Sequence, residues 1–208
     1  MDCQMTEDSI VRTTDIVRAD GRLPLEAEWN QRAEEAHRLG FEYERVYHGC
    51  GQCVLAAVHD ALGLFEEATF NAVFEAATGL AGGLGLCGDA TCSAFTGGAL
   101  AFGLLYPRRR AHFDGDRENR YLTYALIQRL HERFVGHFGS VRCHDVHRHE
   151  LGRAFDLRDP AERKAFEAAG AHEDKCTGIV ACAAQWVIEI LGGAQIEEAI
   201  KLAQSRNL

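Results

Sequence analysis

Eight cysteines occur in this chain of 208 residues, and four of them stand far apart, each beside a glycine turn or on a small-residue helix face. These four are Cys53, Cys92, Cys143 and Cys176. Because small residues let backbones approach one another, the four thiols could converge on one centre. Thiolates that meet in a chain without an export signal are more often metal ligands or redox groups than structural disulfides. The pattern therefore predicts redox or metal chemistry, without identifying the reaction.

Two of these cysteines have a second cysteine nearby. Cys50 precedes Cys53 by the two-residue spacing that lets both sulfurs of a helix start face one ion or form a redox disulfide. The βαβ context of thioredoxin-like motifs is missing, and Val54 stands where covalent haem attachment needs histidine. Cys87 precedes Cys92 in a glycine-rich stretch whose amides could stabilise negative charge on sulfur. Four thiolates in two pairs suit zinc or an iron–sulfur centre.

The positions of the remaining cysteines and of the histidines after Cys143 indicate which of them could belong to the centre. Cys176 and Cys182 lie six residues apart on one predicted helix, which is roughly 600° of rotation, so they point to different faces. We favour Cys176 for the centre and Cys182 for packing, while Cys3 lies in a tail predicted to be disordered. Three histidines follow Cys143 in a polar segment, and we predict that they are solvated rather than metal ligands or proton carriers. They are His144, His147 and His149.

Composition and motifs exclude several functions. A net charge of −9 argues against binding nucleic acid, and the basic run at 108–110 is diluted by acidic residues. The N-terminus is acidic where a signal peptide is basic, and glycines break the weakly charged stretch 78–106 before it reaches the length of a membrane span. Hydrolase and kinase motifs are missing, although His59, Asp60 and Asp89 could do acid–base work near the thiols. We expect a soluble, cytoplasmic protein with no membrane span.

Helical periodicity and the scarcity of proline predict an all-α, single-domain helical bundle with a glycine-rich cysteine loop. We expect an N-terminal extension at 1–25 and a helical cysteine-rich redox domain at 26–208. Asp159 and Pro160 have the order of an N-cap followed by the first helical residue. The predicted helices span about 25–48, 51–62, 66–78, 91–106, 117–138, a short helix from 160, 174–191 and 195–203.

The chain resembles a proposed redox-active family named for its cysteine signature, C_GCAxxG_C_C, from about Ala33 to Leu191. The four matching segments are GCGQCVLAAVHDALGL, GGLGLCGDATCSAFTGGALAFGL, RFVGHFGSVRCHDV and KCTGIVACAAQWVIEIL. The resemblance aligns the family cysteines with Cys53, Cys92, Cys143 and Cys176. A related domain of split-Soret cytochromes is associated with an iron–sulfur cluster, so the resemblance implies a helical redox domain. The chain departs from the family in having Ser93 in place of glycine and in the added Cys50 and Cys87.

The leading hypothesis is an iron–sulfur protein that exchanges electrons with a redox partner protein or a small electron carrier. Its primary ligands would be Cys53, Cys92, Cys143 and Cys176, with Cys50 and Cys87 as secondary metal ligands or neighbours. The alternatives are a thiol–disulfide oxidoreductase or redox sensor that uses Cys50 and Cys53, and a structural zinc-binding module. The oxidoreductase or sensor would need no cofactor, and the structural module would bind zinc. The sequence leaves open the type of cluster and whether the protein is an enzyme. It also leaves open the oligomeric state, including whether the protein is a homo-oligomer.

Overall fold

The computed structural model describes residues 26–63, 67–115 and 117–192. The predicted all-α fold is confirmed, because these residues form helices and turns, with one isolated β-bridge and no strand among them. The predicted extension at 1–25 and the predicted helix at 195–203 lie outside the described residues. The helices are α1 (Glu26–Tyr47), α2 (Cys50–Leu62), α3 (Glu67–Ala76), α4 (Ser93–Leu105), α5 (Arg117–Phe138), α6 (Cys143–Leu151), α7 (Pro160–Ala168) and α8 (Cys176–Leu191).

The apolar helix α8 lies at the centre of the bundle and packs against α1, α2, α4 and α5. Its buried side chains meet large apolar side chains of the neighbouring helices, and burying each of these contributes about 1.5–3 kcal/mol. Fully buried members of this core are Leu55, Phe102, Leu126, Leu130, Phe134 and Ile188. None of the helices in the described part of the chain is long and apolar enough to cross a membrane.

Two predicted helices agree closely with the structure. The predicted span of α5 matches at both ends, and α7 begins at Pro160 with the Asp159 side chain accepting a hydrogen bond from the Ala161 amide at 2.7 Å. Helical periodicity predicts an inner face of α5 made of Tyr121, Tyr124, Ala125, Ile127, Leu130 and Phe134, and this is wrong at Tyr124, which is 48% exposed. The buried face instead runs through Leu126 and its neighbours one turn away, since a small error in phase rotates a helical face.

Three boundaries differ from the predictions. The prediction missed α6 because charged residues cover its outer face and hide the periodicity of its buried side. The predicted third helix continues only to Ala76, after which Ala77–Leu80 forms a 3₁₀ helix. The last described helix starts at Cys176, since a π-helical turn at Ala171–Lys175 precedes it. Each difference falls near the cysteine-bearing segments.

Candidate metal centre

A cavity of about 170 Å³ lies among the ends of α1, α2, α4, α6, α7 and α8. Four thiol-bearing residues line it, and we call them the thiol wall: Cys50, Cys92, Cys143 and Cys176. The rest of the lining is largely apolar and includes Leu86, Val146, Leu157, Phe166 and Ile179. The fold thus brings together thiols that are up to 126 positions apart in the chain, by the difference between 176 and 50.

Every member of the thiol wall stands at the N-terminus of a helix. Cys50, Cys143 and Cys176 are the first residues of α2, α6 and α8, and Cys92 is the N-cap of α4. The first amides of a helix lack partners within the helix, and the helix dipole is positive at this end. Because the Cys176 amide at the start of α8 donates to the Ala171 carbonyl of the preceding π-helical turn, the N-termini of α2, α4 and α6 are the ones that favour an anionic group in the cavity.

A short backbone ladder holds Cys92 beside Cys143. Thr91 and Arg142 form an isolated antiparallel bridge. The Cys92 amide donates to the Val141 carbonyl at 2.7 Å, and the Cys143 amide donates to the Ala90 carbonyl at 3.0 Å. These main-chain bonds fix the starts of α4 and α6 relative to each other, so the two thiols reach the same cavity.

The glycine-rich loop packs directly on the start of α6. Gly83 has a φ of +69°, and a Cβ atom at this position would lie only 2.7 Å from the Cβ of Cys143. Ser93 anchors the same loop, because its hydroxyl donates to the Leu80 carbonyl and accepts from the Gly83 amide. Only glycine at 83 allows this close approach, which shapes one side of the cavity.

A second close approach joins α2 to α4. A Cβ atom at Gly97 would overlap the carbonyl oxygen of Gly51, so the two helices touch through their backbones at this point. Gly51 directly follows Cys50, and Gly97 lies just over one turn after Cys92. The glycine contact therefore sets the distance between these two members of the thiol wall.

The thiols of the wall are protonated when no cation is near them. Burial raises the pKa of Cys50, Cys143 and Cys176 well above that of a free thiol. Burial also raises the pKa of Cys92, to about 11, although the amides of Ala94 and Phe95 act in the opposite direction. A metal ion would displace these protons, because a coordinating thiol is deprotonated.

The other described cysteines do not line the cavity. The Cys53 thiol donates to the His48 carbonyl at 3.2 Å. Cys87 is exposed in the glycine-rich loop, and Cys182 lies elsewhere on α8, as the helical phase predicts. The structure thus brings together three of the four predicted primary cysteines, and Cys50 stands beside them where Cys53 was expected. The assignment of Cys53 and Cys87 as ligands stays a prediction.

Sequence reasoning missed two buried polar residues of the lining. Glu44 is fully buried, and its Oε1 accepts a hydrogen bond from the Cys50 thiol at 3.2 Å. It shares the inner face of α1 with Ala33 and Ala36, so helical periodicity could have identified it. His147 lies one turn after Cys143, with its Nε2 3.5 Å from that thiol.

The prediction of solvated histidines is wrong for His147, which is only 3% exposed, and holds for His149, which is exposed. The reason is that α6 turns His147 inward beside Cys143, a position four residues earlier on the same helical face. His59, Asp60 and Asp89 do not line the cavity. The Asp60 carboxylate instead accepts a hydrogen bond from the Tyr43 hydroxyl at 2.6 Å.

Three further residues, His48, Glu167 and His172, stand where the cavity opens, and we call them the mouth. They come from the segment before α2, from α7 and from the π-helical turn. No motif in the sequence joins them, because they belong to segments that the chain brings together only in the folded state.

A known family matches the part of the chain that contains the whole thiol wall. The family model described as "Putative redox-active protein (C_GCAxxG_C_C)" matches residues 48–190. The chain belongs to the C_GCAxxG_C_C family. The matched region begins just before α2, so Glu44 of α1 lies outside it. No curated protein and no solved structure matches the chain.

Proposed function

We propose that this C_GCAxxG_C_C protein holds an iron–sulfur cluster in its cavity and transfers electrons, with Cys50, Cys92, Cys143 and Cys176 as ligands. The observation that carries the proposal is the thiol wall itself, in which four cysteines at four helix N-termini line one largely apolar cavity. Iron–sulfur clusters are held by cysteine thiolates and supply one-electron chemistry when bound. Electrons would pass to a redox partner protein or a small electron carrier.

The chain's own groups are suited to holding an anionic centre. At the start of α4, the amides of Ala94 and Phe95 donate to the Cys92 thiol and favour its thiolate form. Apolar side chains such as Leu157 and Phe166 keep water away from the thiol wall. Hydrogen bonds to sulfur and exclusion of solvent are two of the factors that set the reduction potential of a cluster.

The spacing of the thiols favours a cluster over a single zinc ion. Tetrahedral zinc with Zn–S bonds of about 2.3 Å brings its sulfurs to about 3.8 Å from one another. Among the described residues, one group of three metal-ligating side chains has ligand atoms that all lie within 4.8 Å of one another. This group contains no cysteine. No three thiols of the wall therefore have sulfur atoms all within 4.8 Å of one another, which agrees with a centre of several metal atoms rather than a single zinc ion.

The protonation of the thiols argues against disulfide exchange as the main function. A reactive cysteine has a lowered pKa, because the thiolate is the nucleophile. Burial instead raises the pKa of both Cys50 and Cys53. Their thiols also donate to different acceptors, the Glu44 carboxylate and the His48 carbonyl. All seven cysteines in the described part are free, which agrees with the cytoplasmic location that we propose.

The test compares two cysteines of the same motif. Anaerobically purified protein, reconstituted with iron and sulfide, should be brown and contain iron and sulfide in comparable amounts. We expect Cys50→Ser to lose most of its iron and its cluster absorption, whereas Cys53→Ser should keep both, because only Cys50 lines the cavity. Cys182→Ser is the matched control on α8 for Cys176→Ser.

Two outcomes would count against the proposal in different ways. Wild-type protein that stays colourless and free of iron after reconstitution would falsify the cluster. A Cys53→Ser variant that loses the cluster while Cys50→Ser keeps it would restore the ligand set predicted from the sequence. Circular dichroism of each variant, at matched concentration, separates loss of ligand from loss of fold.

A further inference from the structure

The mouth of the cavity brings together two imidazoles and one carboxylate from three segments of the chain. The candidate ligand atoms of His48, Glu167 and His172 all lie within 4.8 Å of one another. A carboxylate oxygen of Glu167 is 2.8 Å from Nδ1 of His172, and the rings of His48 and His172 meet edge-to-face with centroids 3.9 Å apart. These three side chains are therefore already close to the spacing that a single ion requires.

Irregular backbone supports two of the three residues. His48 has a φ of +59°, in the left-handed region that residues other than glycine seldom adopt. His172 lies in the π-helical turn Ala171–Lys175, and single π-helical turns are frequent at functional sites. Backbone strain of this kind persists only where surrounding structure maintains it. The fold therefore holds both imidazoles at the mouth despite a local cost.

A buried carboxylate lies directly beneath the mouth. Oε1 of Glu44 is 3.7 Å from Nε2 of His172, and the Glu44 side chain is only 1% exposed. Its Oε2 has no hydrogen-bond partner among the described residues. A cation at the mouth would lie beside this buried carboxylate.

We propose that the mouth is a second metal site, distinct from the thiol wall, which binds a borderline divalent cation such as Zn²⁺ through His48, Glu167 and His172. Two imidazoles and a carboxylate suit zinc and the neighbouring divalent transition metals rather than calcium or magnesium. Three protein ligands leave a coordination position for water or for Glu44.

Cobalt distinguishes the two sites in one experiment. Co²⁺ bound by nitrogen and oxygen gives weak visible bands, whereas thiolate ligation adds an intense near-ultraviolet charge-transfer band. Titration of the full-length, cluster-free protein with Co²⁺ should give the weak bands of the mouth, whatever happens at the thiol wall. The charge-transfer band reports only on the cysteines, so failure of the proposed cluster site and failure of the mouth site produce different spectra.

Variants at the mouth give the decisive comparison. Glu167→Gln and His172→Ala should each weaken Zn²⁺ binding, measured by competition with a chromophoric chelator, by at least about tenfold. Both should also remove the weak cobalt bands while leaving any charge-transfer band unchanged. The matched control is His149→Ala, which breaks an exposed histidine–carboxylate pair with a 2.9 Å contact to Glu150 outside the cavity. This control should bind Zn²⁺ like the wild type.

The proposal is overturned if wild-type protein gives only thiolate-type cobalt bands, or if Glu167→Gln and His172→Ala bind Zn²⁺ as tightly as the control. Glu167 is exposed, so Glu167→Gln is expected to fold, and thermal unfolding of each variant checks this point.

Discussion

The thiol wall and the mouth face the same cavity, but the fold builds them in different ways. The wall residues are helix starts, and Cys92, Cys143 and Cys176 are each no more than 5% exposed. The mouth residues His48 and Glu167 are exposed and lie outside the apolar core. Because the wall is part of the packing and the exposed mouth residues His48 and Glu167 are not, changes at the wall should alter stability and metal binding together. Changes at His48 and Glu167 should alter metal binding far more than stability.

The largest effect on stability is expected at His147, beside the thiol wall. Burial lowers the pKa of His147 to about 4, below the value of 6.5 for an exposed histidine. Above pH 6.5 both the folded and the unfolded states hold it neutral. As the pH falls from 6.5 toward 4, the unfolded state gains the proton first, so folding loses stability, by about 3 kcal/mol at pH 4.

We therefore expect that His147→Gln removes most of this acid sensitivity from the metal-free protein. The measurement is urea unfolding at neutral pH and near pH 4, followed by circular dichroism. His149→Gln is the control, because His149 is exposed on the same helix and should leave the acid sensitivity unchanged. Equal acid sensitivity in wild type and His147→Gln would show that His147 is not the buried neutral group described here.

The second-largest effect on stability is expected at Gly97, whose backbone contact with Gly51 sets the distance between Cys50 and Cys92. Gly97→Ala would force a Cβ atom into the carbonyl oxygen of Gly51, which should destabilise the protein by about 1–3 kcal/mol. Gly103→Ala on the same helix meets no atom within 4 Å and should be neutral or stabilising by up to about 1 kcal/mol. Denaturant unfolding measures both variants.

Gly97→Ala should also reduce the iron content after reconstitution, because it moves Cys50 relative to Cys92, while Zn²⁺ binding at the mouth persists in the folded fraction. If Gly97→Ala and Gly103→Ala have the same stability, the backbone contact between α2 and α4 does not constrain the wall. If both metal sites weaken in parallel, the proposed independence of the mouth is wrong.

The smallest effect on stability is expected at His48. His48→Gly relieves a left-handed conformation that costs about 1 kcal/mol, but it also loses the ring contact with His172, which is worth a similar amount. We expect a net change in unfolding free energy below about 1 kcal/mol, measured by urea denaturation. Zn²⁺ binding should nevertheless fall by at least about tenfold. A large loss of stability would place His48 among the structural residues instead.

Local patterns in the sequence predicted much of the fold. The span of α5 and the Asp159–Pro160 start of α7 follow from periodicity and capping, which depend on near neighbours in the chain. The short helix α6 was missed, because nine residues with a charged outer face carry too little apolar periodicity. The π-helical turn was missed as well, since no simple sequence signal marks it.

Prediction of the site divided along similar lines. Cys92, Cys143 and Cys176 were identified from their glycine contexts and from the family resemblance, and they share the cavity. The choice between Cys50 and Cys53 could not be made from spacing, because both stand near a predicted helix start. The two cysteines lie three residues apart on α2, which is about 300° of rotation around the helix axis, so they point in different directions. The position at which the helix begins therefore decides which thiol enters the cavity.

By itself, the sequence determined that this chain is helical and rich in cysteine, and that it belongs to the C_GCAxxG_C_C family. These properties depend on periodicity, residue type and motif order, all of which are local. Only the tertiary structure decided that Cys50 joins the thiol wall and that Glu44 lies buried against it. It also decided that His48, Glu167 and His172 meet at the mouth. The reason is physical: contacts between distant segments depend on helix packing angles and close backbone approaches, which no single segment encodes.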